Sequence, residues 1–331
     1  MLVFDEQQTR QSIQGALQLR TKIEQYIDLA FKDGIKNVCF LGIGGTLASS
    51  MQAHTHMLEK TNMEVICQSA AEYLSTGNRR ISKGTLMIVS SVSGTTKEIV
   101  AAVTKAKNDG ATVFGFVDNK DAPLCQMVDF CVVYPGNEQI KFFIVADYLM
   151  HLEGTFEDYN EYYSEMEQHL ASALVEVGVK ADNFAKEFVA KHHQDALHYF
   201  VGAGNIWGAT YSYAMCYWEE MHWMKTKSIH AAEFFHGMFE IVEKDTNITL
   251  FVGEDSQRDL AMRVANFLPK ICARYTIIDT KDYELKGISE KYRGSISHLV
   301  IRAVCHRIDM ELEKTNCHPT EIRRYYRQLE Y

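Results

Sequence analysis

Five short apolar runs in the first half of the chain each lead into a turn and then into residues with helical spacing. This alternation constrains the fold more than any other feature. Strands separated by helices return to one sheet as parallel neighbours. The runs are Val38-Cys39-Phe40-Leu41, Met63-Glu64-Val65-Ile66-Cys67, Thr85-Leu86-Met87-Ile88-Val89, Ala111 to Val117 and Phe130 to Tyr134. The second half repeats the order with Leu197 to Val201, the strand-like Ser228 to Ala232, Ile248 to Val252 and Tyr275 to Ile278. The expected fold is α/β, with two tandem doubly wound parallel-sheet subdomains. At 331 residues the chain is also long for one core, and two subdomains divide it naturally.

The predicted boundaries follow the pattern. Residues 1–33 read as one N-terminal helix, with Ile13, Ala16, Leu17, Ile23, Ile27 and Ala30 on a stripe and Gly34 as its stop,. Residues 34–150 form the first α/β subdomain, 151–194 a helical connection, 195–315 the second subdomain and 316–331 a C-terminal tail.

The turn after the third run is Ser90-Ser91-Val92-Ser93-Gly94-Thr95-Thr96-Lys97-Glu98. It joins a strand to a helix. The first backbone N–H groups of a helix lack intrahelical partners, and the helix dipole adds positive charge there. Hydroxyls of Ser91, Ser93, Thr95 and Thr96 around Gly94 complete a cradle for a compact anion such as a phosphate monoester,. The competing reading is a helix cap alone. Gly42-Ile43-Gly44-Gly45-Thr46 is a second such turn. It fails as a dinucleotide fingerprint, because Leu47 stands where a third glycine is needed and Gln68-Ser69 where an acid is needed,. No Gly-Lys-Ser/Thr follows it either.

Formal charge is −9 without a basic block, which argues against a nucleic-acid partner,. No leader and no membrane-length apolar run is evident,. The eight cysteines contain no Cys-x-x-Cys pair and read as small buried hydrophobes,. A cytoplasmic location follows as the expectation. His54, His56, His192 and His193 read as solvated helix residues.

The second half carries the candidates for chemistry. Glu219 and Glu220 lie among Cys216, Tyr217, Trp218, Met221, Trp223 and Met224. A carboxylate on an apolar helix face is a candidate general base, and α-helical spacing puts Glu220 with Cys216 and Met224. Two solvated surface glutamates are the alternative. His230, Glu233 and His236 could in principle hold a metal ion, but the intervening turn gives no reason for them to converge, and the expectation is no metal.

Ser91-Val92-Ser93-Gly94-Thr95-Thr96 resembles the Ser-x-Ser-Gly-x-Thr phosphate loop of sugar isomerase (SIS) domains. Gly44-Gly45-Thr46 resembles their first loop, and Glu233-Phe234-Phe235-His236-Gly237-Met238 the Glu-x-x-His-Gly-Pro motif of the isomerase half of glucosamine-6-phosphate synthase. Ile229 to Gly237, with Phe239-Glu240-Ile241 and the stretch from His318-Pro319 to Tyr331, is similar to the fructosamine-6-phosphate deglycases. The resemblance spans nearly the whole chain as two tandem SIS subdomains.

It implies Glu220 as catalytic base and His236 as ring-opening acid. It also implies a phosphate site from Gly45, Thr46, Ser91, Val92, Ser93, Gly94 and Thr96, with His230 and Glu233 in support. Tyr217 stands where the synthase has a lysine, and Met238 where it has proline. With no glutaminase segment and no Cys-Gly start, these departures favour a deglycase. Such an enzyme would convert a fructosamine 6-phosphate and water to glucose 6-phosphate and a free amino acid, without cofactor. Rival expectations are an aldose–ketose or aminosugar-phosphate isomerase or deaminase, and a non-catalytic sugar-phosphate sensor. The resemblance further implies a homodimer or higher homo-oligomer, with His236 acting in the neighbouring subunit, and no membrane or nucleic-acid partner.

Overall fold

The structure is a computed structural model that describes residues 4–32, 34–326 and 328–330. The chain forms two compact units, Gln8–Ala171 and Ser172 onward, the latter joined by the residues ahead of Gln8. The division falls inside the segment expected as a helical connection. Each unit is built on one all-parallel sheet, five strands in the first and four in the second.

In the first unit the strands are β1 (Asn37–Gly42), β2 (Glu64–Ser69), β3 (Thr85–Ser91), β4 (Thr112–Val117) and β5 (Phe130–Val133), in the order β2-β1-β3-β4-β5. β1 and β3 are buried along their whole length. Helices covering both faces demand continuous apolar runs rather than alternation, and this is why Val38–Leu41 and Leu86–Val89 read as they do. One face packs Cys39, Leu41, Met87 and Val89 against Ile99, Ala102 and Val103 of the helix Lys97–Asn108. After β1 the chain turns one way, through the helix Gly45–Leu58 to β2. After β3 it turns the other way, through Lys97–Asn108 to β4. The winding therefore reverses between β1 and β3, and a crevice opens at their carboxyl ends.

The second unit repeats the plan with β6 (His198–Gly202), β7 (Thr226–His230), β8 (Asn247–Val252) and β9 (Tyr275–Asp279), in the order β7-β6-β8-β9. Its reversal lies between β6 and β8. A long helix, Glu290–Asn316, buries Ile296, Val300, Ile301, Val304, Ile308 and Leu312 along one side.

Several expectations change. The N-terminal segment is two helices, Glu6–Leu17 and Arg20–Lys32. The Leu19 N–H bonds Ala16 O three residues back, which tightens the turn. Arg20 then starts the second helix under tertiary restraint, pairing with Glu24 and Glu167 and lying over the rings of Tyr159 and Tyr163. No breaker residue announces this. Cys125 and Cys131 form a disulfide, because the helix Pro123–Met127 leads directly into β5 and brings the two together. Cys317 is exposed rather than buried.

His56 and His192 are buried, not solvated. His56 Nε2 sits 2.6 Å from Asp147 Oδ1, whose other oxygen accepts the Tyr163 hydroxyl at 2.7 Å. Asp195 bridges His192 Nδ1 at 2.7 Å and His198 Nδ1 at 2.8 Å. Helical spacing cannot say which polar residue has a partner inside.

The His198 ring lies against Phe188, Phe200 and Trp218, and its Nε2 is 2.8 Å from Thr249 Oγ1. Burial pushes its pKa from the usual 6.5 down to about 4, against the pull of Asp195. The folded state thus binds this proton less readily than the unfolded chain. Its contribution is intact above pH 6.5 and is lost as pH falls from 6.5 toward about 4,. The expected slope is about 1.4 kcal/mol per pH unit for one proton. Urea midpoints at a series of pH values check this, with His198→Gln expected to flatten the slope by roughly one proton's worth. A parent protein equally stable at both ends of that window would refute it.

Candidate active site

In the first unit, both hydroxyl-bearing turns lie at the β1/β3 reversal, since these strands are direct neighbours. Neither following helix is capped by a side chain. Gly44 has none to offer, and Thr96, at the cap position of Lys97–Asn108, makes no side-chain bond to the helix start. The reading as a mere helix cap therefore loses its mechanism, and two sets of helix-start N–H groups face the same crevice.

The second turn is stitched internally. Ser91 Oγ accepts the Gly94 N–H at 3.1 Å and lies 3.2 Å from Thr96 Oγ1. Ser93 Oγ accepts from the Thr95 N–H at 3.3 Å and its hydroxyl at 2.8 Å. Gly94 has a φ of +62°, and a Cβ there would lie 2.4 Å from that of Ala122, so only glycine fits. Val92 is exposed at the tip of the loop. In the first turn Thr46 Oγ1 bonds back to Ile43, donating to its carbonyl and accepting its N–H, both at 3.0 Å. Thr46 thus shapes the loop, and the anion-binding capacity of this turn resides in the N–H groups that begin at Gly45.

Sequence reasoning missed the polar wall of this crevice. Glu138, first residue of the helix Glu138–Glu153, is hydrogen-bonded by the hydroxyls of Ser49 and Ser90. Burial pushes its carboxyl up, against those bonds and the nearby Lys141 cation. Lys141 is itself buried, donates to Tyr134 O at 2.8 Å and is pushed down by that burial, with Asp118 and Glu138 opposing the shift. Ser49 follows the first turn by a few residues and Ser90 opens the second, so Glu138 ties both to a third element. A Glu-x-x-Lys pair opening an otherwise apolar helix was the available signal.

The equivalent reversal of the second unit is already filled. The Asp255 carboxylate accepts the Asn205 N–H at 3.1 Å, and Gln257 Oε1 accepts that of Gly204 at 3.1 Å. A Cβ on Gly204 would sit 2.0 Å from Asp255 Oδ1. The protein's own carboxylate occupies the place an anion takes at such a turn, so the two halves share a plan but not an anion site.

Glu219 and Glu220 close the helix that starts at Ile206. Its last stretch, Tyr213–Glu219, is π-helical, a local widening frequent at functional sites. Here the sequence expectation needs correction. Met224 lies beyond the helix end, so the shared apolar face of Cys216, Glu220 and Met224 does not form, and both glutamates are exposed. The two carboxylates are nevertheless engaged differently. Glu219 Oε1 accepts the Thr226 hydroxyl at 2.9 Å at the start of β7. Glu220 Oε1 accepts Arg323 Nε at 3.0 Å, from the C-terminal segment.

The Glu-Phe-Phe-His-Gly block follows β7. Phe234 is buried, and Phe235 packs on Phe239 and Phe267 under the guanidinium of Arg263. These aromatics anchor a short turn that presents Glu233 and His236 to solvent. His230 is half-buried; its Nδ1 accepts the Ala232 N–H at 3.1 Å, and burial lowers its pKa. His230, Glu233 and His236 do not cluster as ligands. Among the described residues the one His/Asp group with ligand atoms within 4.8 Å is His192, Asp195 and His198, at the amino end of β6, away from the carboxyl ends where ligands bind.

Residues 34–153 match the family model of the SIS domain. The chain is 27% identical to Fructosamine deglycase FrlB of Bacillus subtilis (strain 168), across 96% of this chain and 99% of that one. It is 20% identical to the Fructoselysine 6-phosphate deglycase of Escherichia coli (strain K12), across 92% and 89% respectively. A crystal structure of a candidate phosphosugar isomerase from Bacillus subtilis superposes with a TM-score of 0.88 at 25% identity, covering 94% of this chain and 97% of that one. The α/β fold with two parallel sheets and the SIS resemblance both stand.

Proposed function

We propose that the chain is a phosphosugar-amine deglycase, cleaving a fructosamine 6-phosphate with water to glucose 6-phosphate and a free amine. One observation carries the phosphate half of this reading: two strand-to-helix turns bearing the hydroxyls of Ser91, Ser93, Thr46 and Thr96 lie side by side at the β1/β3 reversal. The deglycase half is supported by relatives of that name matched along 96% and 92% of this chain.

The chemistry assigned to the residues is acid–base. His236 assists opening of the sugar ring. Glu220 takes a proton from C1 of the open ketose, giving an enaminol. Return of a proton to C2 places the double bond between C1 and nitrogen. Water adds to this imine at C1, the C–N bond breaks, and the aldehyde of glucose 6-phosphate leaves with the amine. A positioned acid or base contributes about 10²–10⁴-fold, and held geometry adds to it. A phosphorylated substrate fits a cytoplasmic reaction.

The test is release of amine and glucose 6-phosphate in equal amounts from synthetic fructosamine 6-phosphates. Interconversion of fructose 6-phosphate and glucose 6-phosphate without any amine-releasing activity would favour an isomerase; tight binding without turnover would favour a sensor.

We further propose that the chain works as a homo-oligomer, at least a dimer, in which His236 serves a neighbouring subunit. Its exposure on an aromatic-anchored turn supports this. Mixing inactive Glu220→Gln with inactive His236→Ala subunits should restore part of the activity. No recovery after verified subunit exchange would show that each subunit uses its own histidine.

A further inference from the structure

The C-terminal segment places a cation on the proposed base. Arg323 Nε donates to Glu220 Oε1 at 3.0 Å. Its Nη1 donates to Ile322 O at 3.1 Å and also to Thr320 O. Those carbonyl bonds fix the plane of the guanidinium. The next residue, Arg324, lies over the Trp223 ring at 4.3 Å, and His318 packs on the same ring at 4.3 Å. Trp223 belongs to the turn that follows Glu220, so the segment is fastened to the end of the π-helical stretch. Arg323 is mostly covered, with 19% of its side chain exposed, against 40% for Glu220.

The bond occupies one oxygen of the proposed base, and a guanidinium held there competes with the proton that Glu220 must accept. A second anion arriving with the substrate would draw Arg323 away. On the deglycase reading, C1 bears the nitrogen of an amino acid. If the link is through the α-amine, one carbon separates that nitrogen from a carboxylate. The carboxylate is then carried to the neighbourhood of Glu220, where the two anions would repel unless a cation stood between them. Guanidinium is the side chain suited to this, with N–H donors in a fork that matches a carboxylate. Nε and Nη1 carry the bonds described above, and Nη2 completes the fork.

We propose that Arg323 is the specificity residue that reads a carboxylate one carbon from the scissile nitrogen, and that its pair with Glu220 is the resting arrangement this carboxylate replaces. The inference rests on the deglycase reading and narrows it to α-linked amino acids. A lysine joined through its side-chain amine keeps its carboxylate far from C1 and would not make the exchange.

The probes are the 6-phosphofructose conjugates of glycine and of methylamine, which differ by the carboxylate. For the parent protein, kcat/KM should favour the glycine conjugate by roughly 10-fold to 100-fold, the range for a hydrogen-bonded charge pair. Arg323→Ala should bring the ratio near one, the glycine arm falling much further than the methylamine arm. Arg323→Lys should restore part of the preference. Equal parent rates on both conjugates would overturn the proposal and leave the deglycase reading intact. So would an equal fall in both arms for Arg323→Ala, the mark of a merely structural residue. Release of no amine from either conjugate by the parent would overturn both readings. The parent ratio alone decides if the variants fold poorly.

Discussion

Glu220→Gln should lower kcat by roughly 10²–10⁴-fold, the usual worth of a positioned general base, while Glu219→Gln should stay within severalfold of the parent. Glutamine keeps the shape and an oxygen to accept from Arg323 Nε, so the tail contact survives and only the proton acceptor is lost. Glu219 is spent elsewhere, its Oε1 taking the Thr226 hydroxyl at 2.9 Å at the start of β7. Losing that charge on the surface costs little stability. Affinity for a phosphorylated ligand should be nearly the same in both variants, because the loss falls on the chemical step. Kinetics on the two variants side by side, with circular dichroism as the folding control, decides it. A dead Glu219→Gln beside an active Glu220→Gln would reassign the base; two active variants would end the enolisation mechanism.

One of the two grounds for expecting Glu220 falls with the structure, while the resemblance is untouched. Spacing by 3.6 residues put it on an apolar face with Cys216 and Met224. The stretch Tyr213–Glu219 instead widens into a π-helix and stops, leaving Met224 in the turn beyond. Backbone bonds one residue longer leave no mark in composition. The resemblance still points to Glu220, and the partner that the structure gives it, Arg323, stands about a hundred residues further along the chain. Local pattern is blind to such a pair.

The central strands, by contrast, were legible because parallel strands buried on both faces must be apolar, as β1 and β3 largely are,. The edge strand Thr226–His230 is mostly polar and only partly buried, and its run read two residues late, at Ser228 to Ala232. The turn proposed as an anion cradle stands out in the sequence for a related reason. Hydroxyls and a positive-φ glycine between a strand and a helix have few other uses. The burial of Lys141 beside a half-buried Glu138 was hidden because a charged pair opening a helix usually faces water. Here the helix start is turned into the crevice, with Ser49 and Ser90 as partners for the carboxyl. Asp255 was overlooked for the opposite reason. An acid in a glycine-bearing turn attracts no notice until the strand order shows that the turn is the counterpart of the serine-rich turn after β3.

Two classes of loop variant should separate what binds the phosphate from what shapes the loop. Ser91 Oγ holds the Gly94 N–H at 3.1 Å, so Ser91→Ala loosens the turn as well as removing a donor. Ser93 Oγ accepts from Thr95 and does not hold the Gly94 N–H, so Ser93→Ala removes a hydroxyl and leaves the Ser91–Gly94 bond in place. Each lost bond to a charged ligand costs about 1.5–3 kcal/mol. The double variant Ser91→Ala/Ser93→Ala should therefore bind glucose 6-phosphate at least roughly 100-fold more weakly, as about 3 kcal/mol implies. Gly94→Ala attacks the same site through the backbone. Its φ of +62° disfavours any side chain, and the new methyl would meet the Ala122 Cβ at 2.4 Å. Left-handed backbone costs an L-residue about 1–2 kcal/mol before the clash is counted. The loop should then shift, turning the N–H groups ahead of Lys97 out of line. Gly94→Ala is expected to lose phosphate affinity by roughly 10-fold or more and to melt a few degrees lower, whereas Ser93→Ala should melt like the parent. Calorimetric titration with glucose 6-phosphate, glucose and inorganic phosphate provides the readout. Equal affinity of the parent for glucose with and without its phosphate would remove the anion cradle from the site, and with it the reason these two turns lie together at the β1/β3 reversal.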